Sequence, residues 1–573
     1  MNNKIKKIST GVEDFREIIT KNGYFVDKTL MIRDLIESNA KVTLFTRPRR
    51  FGKTLNQSMI RRFFEDEITE YGEKIDNRYL FDGLAVSSCG EDILKHQQQY
   101  PVIFISLKSA KQPNFDIAYK CLVDEISKQF ITHRYVLNDD ILMPVEIERY
   151  EAIMNLRADA ADYARGLAFL SECLAKYHGR NTIILIDEYD VPLENAYVQG
   201  FYDEMIGFIR SLFESALKTN PFLEKGIITG CLRICKESIF TGLNNLEVQS
   251  ILSPHYSDCF GFTESEVKEL LAYYDLSDKY QDMKEWYDGY LFGDAEIYNP
   301  WSILCYVKTA LGKRDSFARP YWSNTSSNSI VRELIEDADE NTRRELEILM
   351  DGGTIEKPVH EDITYEDIHE SMDNLWNFLF FTGYLRAVNQ RFENRKIYLE
   401  MSIPNEEIAS IYENSIAAWF DKKINKIDRN PLIKALEDGD CSAAEDFISA
   451  QLMDTISYFD YAENYYHGFM AGLLSGVGKY CILSNRESGT GRPDLILKTA
   501  AIRKGRVIII ELKLAANVRQ LDEKCDEALQ QIEDNCYAAP FTDEGYPIVQ
   551  KYGISFYKKE CMVKTADHTS GCR

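Results

Sequence analysis

The segment that most constrains this chain is residues 41–62, which holds seven basic residues and no acidic one, in a protein with 67 Lys+Arg against 91 Asp+Glu. Lys41-Val-Thr-Leu-Phe-Thr46 reads as a short buried strand, and Leu55 to Phe64 carries helical spacing. Between them runs Arg47-Pro48-Arg49-Arg50-Phe51-Gly52-Lys53-Thr54. A strand, a basic loop ending in Gly-Lys-Thr and a helix together suit phosphate binding. Backbone N–H groups and the positive helix N-terminus face the anion, the lysine reaches the β/γ-phosphates and the hydroxyl takes Mg²⁺. The first glycine of G-x-x-x-x-G-K-T is absent, its position held by Arg47. The competing reading is a basic helix start with an accidental Gly-Lys-Thr.

A partner lies downstream. Ile183-Ile-Leu-Ile-Asp187-Glu188 is an apolar strand ending in two carboxylates. Burial of the strand would hold Asp187 beside Thr54 in the Mg²⁺ shell, and Glu188 would polarise the water that attacks the γ-phosphate. The next strand ends at Thr229, placed to sense the γ-phosphate; Arg233 and Lys236 serve either as charge stabilisers or in surface salt bridges. Helical stretches, Tyr163 to Tyr177 and Phe201 to Leu217, separate these strands, the alternation of a parallel α/β sheet. Residues 1–262 are expected to form one P-loop domain of this kind.

At 573 residues the chain is long enough for three or four units. The net charge of −24 repels nucleic acid at long range, so any phosphate site must be a local basic patch. Thirteen cysteines without a CxxC pair point to reduced thiols. The start lacks an apolar signal core and no stretch is long enough to span a membrane, so a cytoplasmic protein is expected. From the capping-box start at Thr263, residues 263–440 read as mainly helical. Within them a helix, Met372 to Tyr384, precedes strands Leu385 to Asn389 and Lys396 to Met401, either a winged-helix element or plain packing. Residues 441–565 read as a final α/β unit, and 566–573 as a tail.

That final unit carries a second concentration of charge. Residues 491–514 hold six basic and two acidic residues. Gly491 to Lys498 and Val507 to Lys513 read as an antiparallel hairpin. A turn centred between Ile502 and Arg503 sets Asp494 opposite Glu511, and the period of two puts Lys513 on the face of Glu511. Two carboxylates there would bind Mg²⁺, and Lys513 would act on a water in line with a scissile phosphate. A following helix brings Gln531 near, while Glu463 and His467, four apart, either complete the metal or substrate shell or form an exposed helix pair.

Tyr24-Phe-Val-Asp-Lys-Thr29, Thr46 to Thr54, Leu185-Ile-Asp-Glu-Tyr-Asp190, Lys236-Glu-Ser-Ile-Phe240 and Tyr298-Asn-Pro-Trp-Ser302 resemble a prokaryotic family that joins an AAA-like ATPase domain to a PD-(D/E)xK nuclease domain. Tyr466-His-Gly-Phe469, Ser484 to Asp494 and Glu511-Leu-Lys513 fit the same family. The resemblance spans nearly the whole chain. It implies ATP binding by Arg47–Thr54, the family's own form of the motif, and Mg²⁺ at Asp494 and Glu511. The expected function is an ATPase coupled to a Mg²⁺-dependent nuclease, with Mn²⁺ as a second metal for the nuclease site, nucleic acid (chiefly DNA) as partner and homo-oligomerisation open. The alternatives are a nucleotide-switched interaction or defence protein with an inactive nuclease-like domain, and a factor that only binds DNA through residues 360–401.

Overall fold

The computed structural model describes residues 5–138, 140–233, 245–322, 329–336, 338–361, 371–424, 428–453, 463–475, 479–484 and 492–566. They fall into two compact units, residues 1–330 with 354–411, and residues 331–353 with 412–573. Most of 263–440, read from the sequence as a region of its own, thus packs with the first unit.

The first unit is built on a parallel sheet. Its strands are β1 (Val42–Thr46), β2 (Val102–Ser106), β3 (Thr182–Asp187), β4 (Leu223–Gly230) and β5 (Leu246–Gln249), in the order β2-β3-β4-β1-β5. Every pairing is parallel. Strands β1 and β3 are buried at every residue, as expected of a sheet covered by helices on both faces. Because the strands run one way, Thr46, Asp187 and Thr229 all come to the same edge, where open α/β sheets bind ligands. Helix Lys53–Phe64 starts directly after the loop, with Gly52 in the left-handed region at φ 86°.

After the sheet, Thr263 caps helix Glu264–Tyr273 through the expected capping box. A short hairpin, β6 (Tyr290–Phe292) and β7 (Ala295–Ile297), precedes helix Pro300–Gly312. Helix Met372–Phe381 is followed by β9 (Arg386–Glu393) and β10 (Lys396–Ser402), as the sequence suggests, but β8 (Ile355–Val359) pairs with β10 to make a three-stranded antiparallel sheet. The extra strand is hard to read because Pro358 and alternating charge hide its pattern.

The second unit holds a mixed sheet, β11 (Tyr480–Ser484), β12 (Leu495–Thr499), β13 (Arg506–Leu514), β14 (Ile548–Tyr557) and β15 (Glu560–Thr565), in sequence order. Only β13 and β14 are parallel, joined by a crossover containing helix Leu521–Asp534. Alternate residues of the central strands feed two cores. Leu495, Leu497, Ile508, Ile510 and Leu512 join helices Asn430–Asp438, Cys441–Met453 and Glu463–Leu474 on one face. Ile496, Val507 and Ile509 pack with Ile532 of the crossover helix on the other. This is strand periodicity used on both sides.

The crossover helix lies very close to β14. A Cβ placed on Gly553 would sit 2.4 Å from the carbonyl oxygen of Cys525 and 3.0 Å from Ala528 Cβ. The backbone of the helix cannot yield without moving as a body. Gly553→Ala should therefore lower stability by about 1–3 kcal/mol, read as a fall in the thermal midpoint; an unchanged midpoint would show that the helix is free to shift.

Candidate functional site

In the first unit the loop closes around its own lysine. Lys53 is 5% exposed, and its ammonium donates to the carbonyl oxygens of Arg47 and Pro48, each at 2.9 Å, with Cys231 Sγ at 3.7 Å. The next residue reaches across the sheet edge: Thr54 donates to Asp187 Oδ2 at 2.9 Å, while Thr229 donates to Asp187 Oδ1 at 2.6 Å. Asp187 thus joins the loop helix, β3 and β4 through one buried carboxylate. Burial is the main cause that raises its pKa, and Glu188 adds to it, against the two hydroxyls and Lys53. Such a carboxylate gains from a cation.

Glu188 is held at φ 51°, uncommon for a non-glycine residue, and lines the cavity beside the loop with Arg49, Arg50, Lys53 and Thr54. The cavity volume is about 330 Å³. Arg49 pairs with Glu194, and Arg50 lies over the ring of Trp301 at 4.3 Å. Phe51 is buried against Tyr290 and Phe292.

Arg47 departs from the expectation that the whole loop faces phosphate. Its guanidinium is fully buried, donates to the carbonyls of Thr46, Gln249 and Tyr256 at 2.9, 2.8 and 3.2 Å, and sits 5.2 Å from the rings of both Phe260 and Phe292. Burial lowers its pKa to about 10. In the position of the missing glycine, this side chain ties the end of β1 to the end of β5 and to the segment after it. Neither Arg47 nor Pro48 lines the cavity. Arg233 pairs with Glu361 at 3.7 Å and does not line it either, which favours the salt-bridge reading; Lys236 lies outside the described residues.

Three residues of this site escape the sequence reading. Gln57, one turn into the helix, donates its amide to Thr229 Oγ1 at 3.2 Å and to the Ile186 carbonyl at 3.0 Å. Asp190 accepts from the backbone N–H groups of Cys231 and Leu232 at 2.6 and 3.1 Å, with its pKa raised to about 6 by burial. Lys108, just beyond β2, lines the cavity and pairs with Glu13 at 3.0 Å. Although burial opposes it, the Glu13 hydrogen bond and the charges of Glu188, Glu13 and Asp187 raise the pKa of Lys108. Lys108 stands two residues past the end of β2, a strand the sequence reading did not name.

In the second unit the register sets Leu495 opposite Ile510 and Lys498 opposite Val507. Continued by one residue, it sets Asp494 opposite Glu511. The two are joined: Asp494 N–H donates to Glu511 Oε2 at 3.4 Å, and Leu512 N–H donates to Asp494 Oδ2 at 2.8 Å. Lys513 Nζ lies 3.6 Å from Glu511 Oε1, to which Gln531 also donates. His467 Nε2 is 3.1 Å from the Asp494 carbonyl oxygen. Gln531 and His467 therefore join the carboxylates; the side chain of Glu463 lies outside the described residues. Among the described residues no cluster of three or more His, Cys, Asp or Glu forms a metal site. Glu511 is 2% exposed, and burial first, then the Asp494 charge, raises its pKa to about 7 against the opposing Lys513. A pair of carboxylates short of positive charge, with oxygen donors, fits a hard divalent cation.

Residues 9–240 match the family model described as Predicted AAA-ATPase, and residues 461–566 match that of the PD-(D/E)XK nuclease superfamily. The chain is an AAA-ATPase-like region followed by a PD-(D/E)XK-like region. This is the N- to C-terminal arrangement that the motifs suggest. A relative from Azotobacter chroococcum mcd 1, named "Uncharacterized protein in vnfD 5'region", is 24% identical over 569 residues and is matched over 96% of each chain. The AAA-ATPase-like match contains Lys53, Thr54, Asp187, Glu188 and Thr229, and the PD-(D/E)XK-like match contains His467, Asp494, Glu511, Lys513 and Gln531. Among the described residues no helix is long and apolar enough to cross a membrane, and eleven cysteines are free thiols.

The Glu511 carboxyl makes the second site sensitive to pH. Its value of about 7 in the folded chain lies above the 4.5 expected of an ordinary glutamate, so the folded state binds the proton more tightly. The stability from this group is fully present below the unfolded value and is lost as pH rises through the folded one. In metal-free buffer, the thermal midpoint of wild type should fall relative to that of Glu511→Gln between about pH 5 and pH 8; parallel profiles would remove Glu511 as the source.

Proposed function

We propose that the chain is a cytoplasmic ATPase coupled to a metal-dependent nuclease that hydrolyses phosphodiester bonds in nucleic acid, chiefly DNA. What carries the reading is that each family match coincides with an assembled set of the side chains its chemistry requires. In the AAA-ATPase-like region, Lys53 and the N-terminus of helix Lys53–Phe64 would hold the phosphates of ATP, and Thr54 with Asp187 would hold Mg²⁺. Glu188, which lines the cavity, would orient the attacking water and take its proton. Thr229 and Gln57 fix the carboxylate of Asp187 and the strand ends around it. Lys108 would offset negative charge beside Glu188, within the same chain. ATP binding or turnover would regulate or drive the nuclease. Homo-oligomerisation remains compatible with the reading, and no residue of a neighbour is needed for the groups named.

In the PD-(D/E)XK-like region, Asp494 and Glu511 would hold Mg²⁺ or Mn²⁺, which when bound supplies a Lewis acid and an activated water. Lys513 would hold that water and a phosphate oxygen by charge. Gln531 orients Glu511 by donating to it, and His467 braces the Asp494 backbone. Arg492, Lys498, Arg503, Lys504 and Arg506 give the hairpin the local positive charge that a strongly acidic chain needs to approach nucleic acid.

For the ATPase, Lys53→Ala should abolish the thermal stabilisation given by ATP, while Glu188→Gln should keep ATP affinity and slow turnover by about 10²-fold or more. Equal loss of binding in both would make Glu188 a structural residue. For the nuclease, purified protein should cleave DNA or RNA in Mg²⁺ or Mn²⁺ but not in chelator. Asp494→Ala should abolish cleavage, whereas Lys513→Ala should lower the rate more than the metal affinity. Cleavage that survives chelator or Asp494→Ala would sink the metal-nuclease reading. A chain that binds ATP but cuts nothing would be the nucleotide-switched interaction protein.

A further inference from the structure

We infer that the turn after β14 binds the substrate of the second site, with Lys558 holding a backbone phosphate a few nucleotides from the one that is cut. The inference rests on the reading of Asp494, Glu511 and Lys513 as a nuclease site. Strand register brings the turn to that site. β14 runs parallel to β13, with Glu511 opposite Gly553, Lys513 opposite Ser555 and Leu514 opposite Phe556. The strand ends at Tyr557, so Lys558 lies three residues beyond Ser555, at the end of the sheet where Glu511 and Lys513 stand. With strands about 4.8 Å apart and a rise of about 3.3 Å per residue, the turn is roughly 10 Å from Lys513. Each strand of a duplex carries a phosphate every ~3.4 Å of axis, so a cation at that distance meets one within about three nucleotides of the cleaved bond.

The turn is held by the same helix that braces the site. Tyr557 pairs with Glu560, which leaves Lys558 and Lys559 as a two-residue connection between β14 and β15. Tyr466 donates its hydroxyl to the Lys558 carbonyl oxygen at 2.7 Å, and its ring stacks on Phe556 with centroids 4.3 Å apart. The next residue of helix Glu463–Leu474, His467, reaches the carbonyl oxygen of Asp494 at 3.1 Å. A phosphate contact made from this turn is therefore in a fixed relation to the carboxylates, as positioning of a scissile bond requires.

Two features of Lys558 point to a ligand. Its backbone is at φ 54°, in the left-handed region where a two-residue turn favours glycine or asparagine and a lysine is disfavoured. The side chain stands there against the preference of the backbone. It is also exposed and has no carboxylate partner among the described residues; the Tyr557 ring lies 5.7 Å from its ammonium. The other lysines of β14, β15 and their turn are matched: Lys551 by Glu533, Lys559 by Glu347, and Lys564 by Asp522 and Asp526. In a chain of net charge −24, an unmatched cation at the catalytic end of the sheet is a local attractor for a polyanion.

The test measures binding of the full chain to a fluorescent DNA duplex, and to an RNA of the same sequence, over a range of salt in chelator. Lys558→Gly removes the charge and suits the positive φ, so its thermal midpoint should not fall. On whichever nucleic acid wild type binds, this variant should weaken binding to all sequences alike and reduce the salt slope by about one. Lys558→Arg should keep the wild-type slope, and so should Lys559→Ala, which removes a lysine already paired. In Mg²⁺, Lys558→Gly should raise KM and leave kcat within about twofold, the pattern of lost uniform binding. An unchanged slope in Lys558→Gly would overturn the inference while leaving the nuclease reading to Asp494→Ala. A lowered midpoint would make Lys558 a structural residue, and an equal loss of slope in Lys559→Ala would reduce the effect to general charge; either rejects the inference. Wild type that binds neither DNA nor RNA would reject the nuclease reading together with this one.

Discussion

One buried carboxylate organises the first unit. Asp187 stands at the end of a fully buried parallel strand, and its two oxygens accept from Thr54 on the loop helix and Thr229 on the neighbouring strand. A carboxylate in such a place is costly unless hydrogen-bonded, so the three segments are held together by the need to satisfy it. Strand order reinforces this: β4 lies between β1 and β3, and Gln57 reaches from the helix to both β4 and β3. The geometry of the loop is therefore inherited from the sheet edge.

The second unit reaches a similar result by other means. An antiparallel pair fixes which residues face each other, and the alternation of faces delivers Asp494 and Glu511 to the side covered by the crossover helix. Both sites place acidic groups where burial raises their pKa, Asp187 in one and Glu511 in the other, and both set a lysine nearby. Perturbed carboxylates in such company are a physical signature of functional sites.

Much of this could be read in the sequence because it follows from periodicity. The paired positions of Asp494 and Glu511 needed only the turn centre, and the strand ends at Asp187 and Thr229 needed only the length of an apolar run. Helix Lys53–Phe64 and the capping box at Thr263 are local features with local signals. What was not legible depends on contacts far apart in the chain. Arg47 turns inward because carbonyls some 200 residues away accept from it, and nothing near it in sequence announces that. Gln57, Asp190 and Lys108 look like ordinary polar residues until the sheet gathers them. The strand Ile355–Val359 was hidden by its proline and by charges that mask alternation.

The contacts of Lys53 carry a further implication. Its ammonium already has two carbonyl oxygens of the loop as acceptors, so it is solvated by the protein when no anion is near. An arriving phosphate must exchange for these oxygens or share the donors with them, and only the difference counts toward affinity. Those acceptors are main-chain atoms, which no side-chain substitution can delete. The loop is thus shaped in advance by its own lysine, and the same residue limits how tightly an anion can be gripped. A nucleotide would then owe part of its residence time to parts of the molecule other than its phosphates.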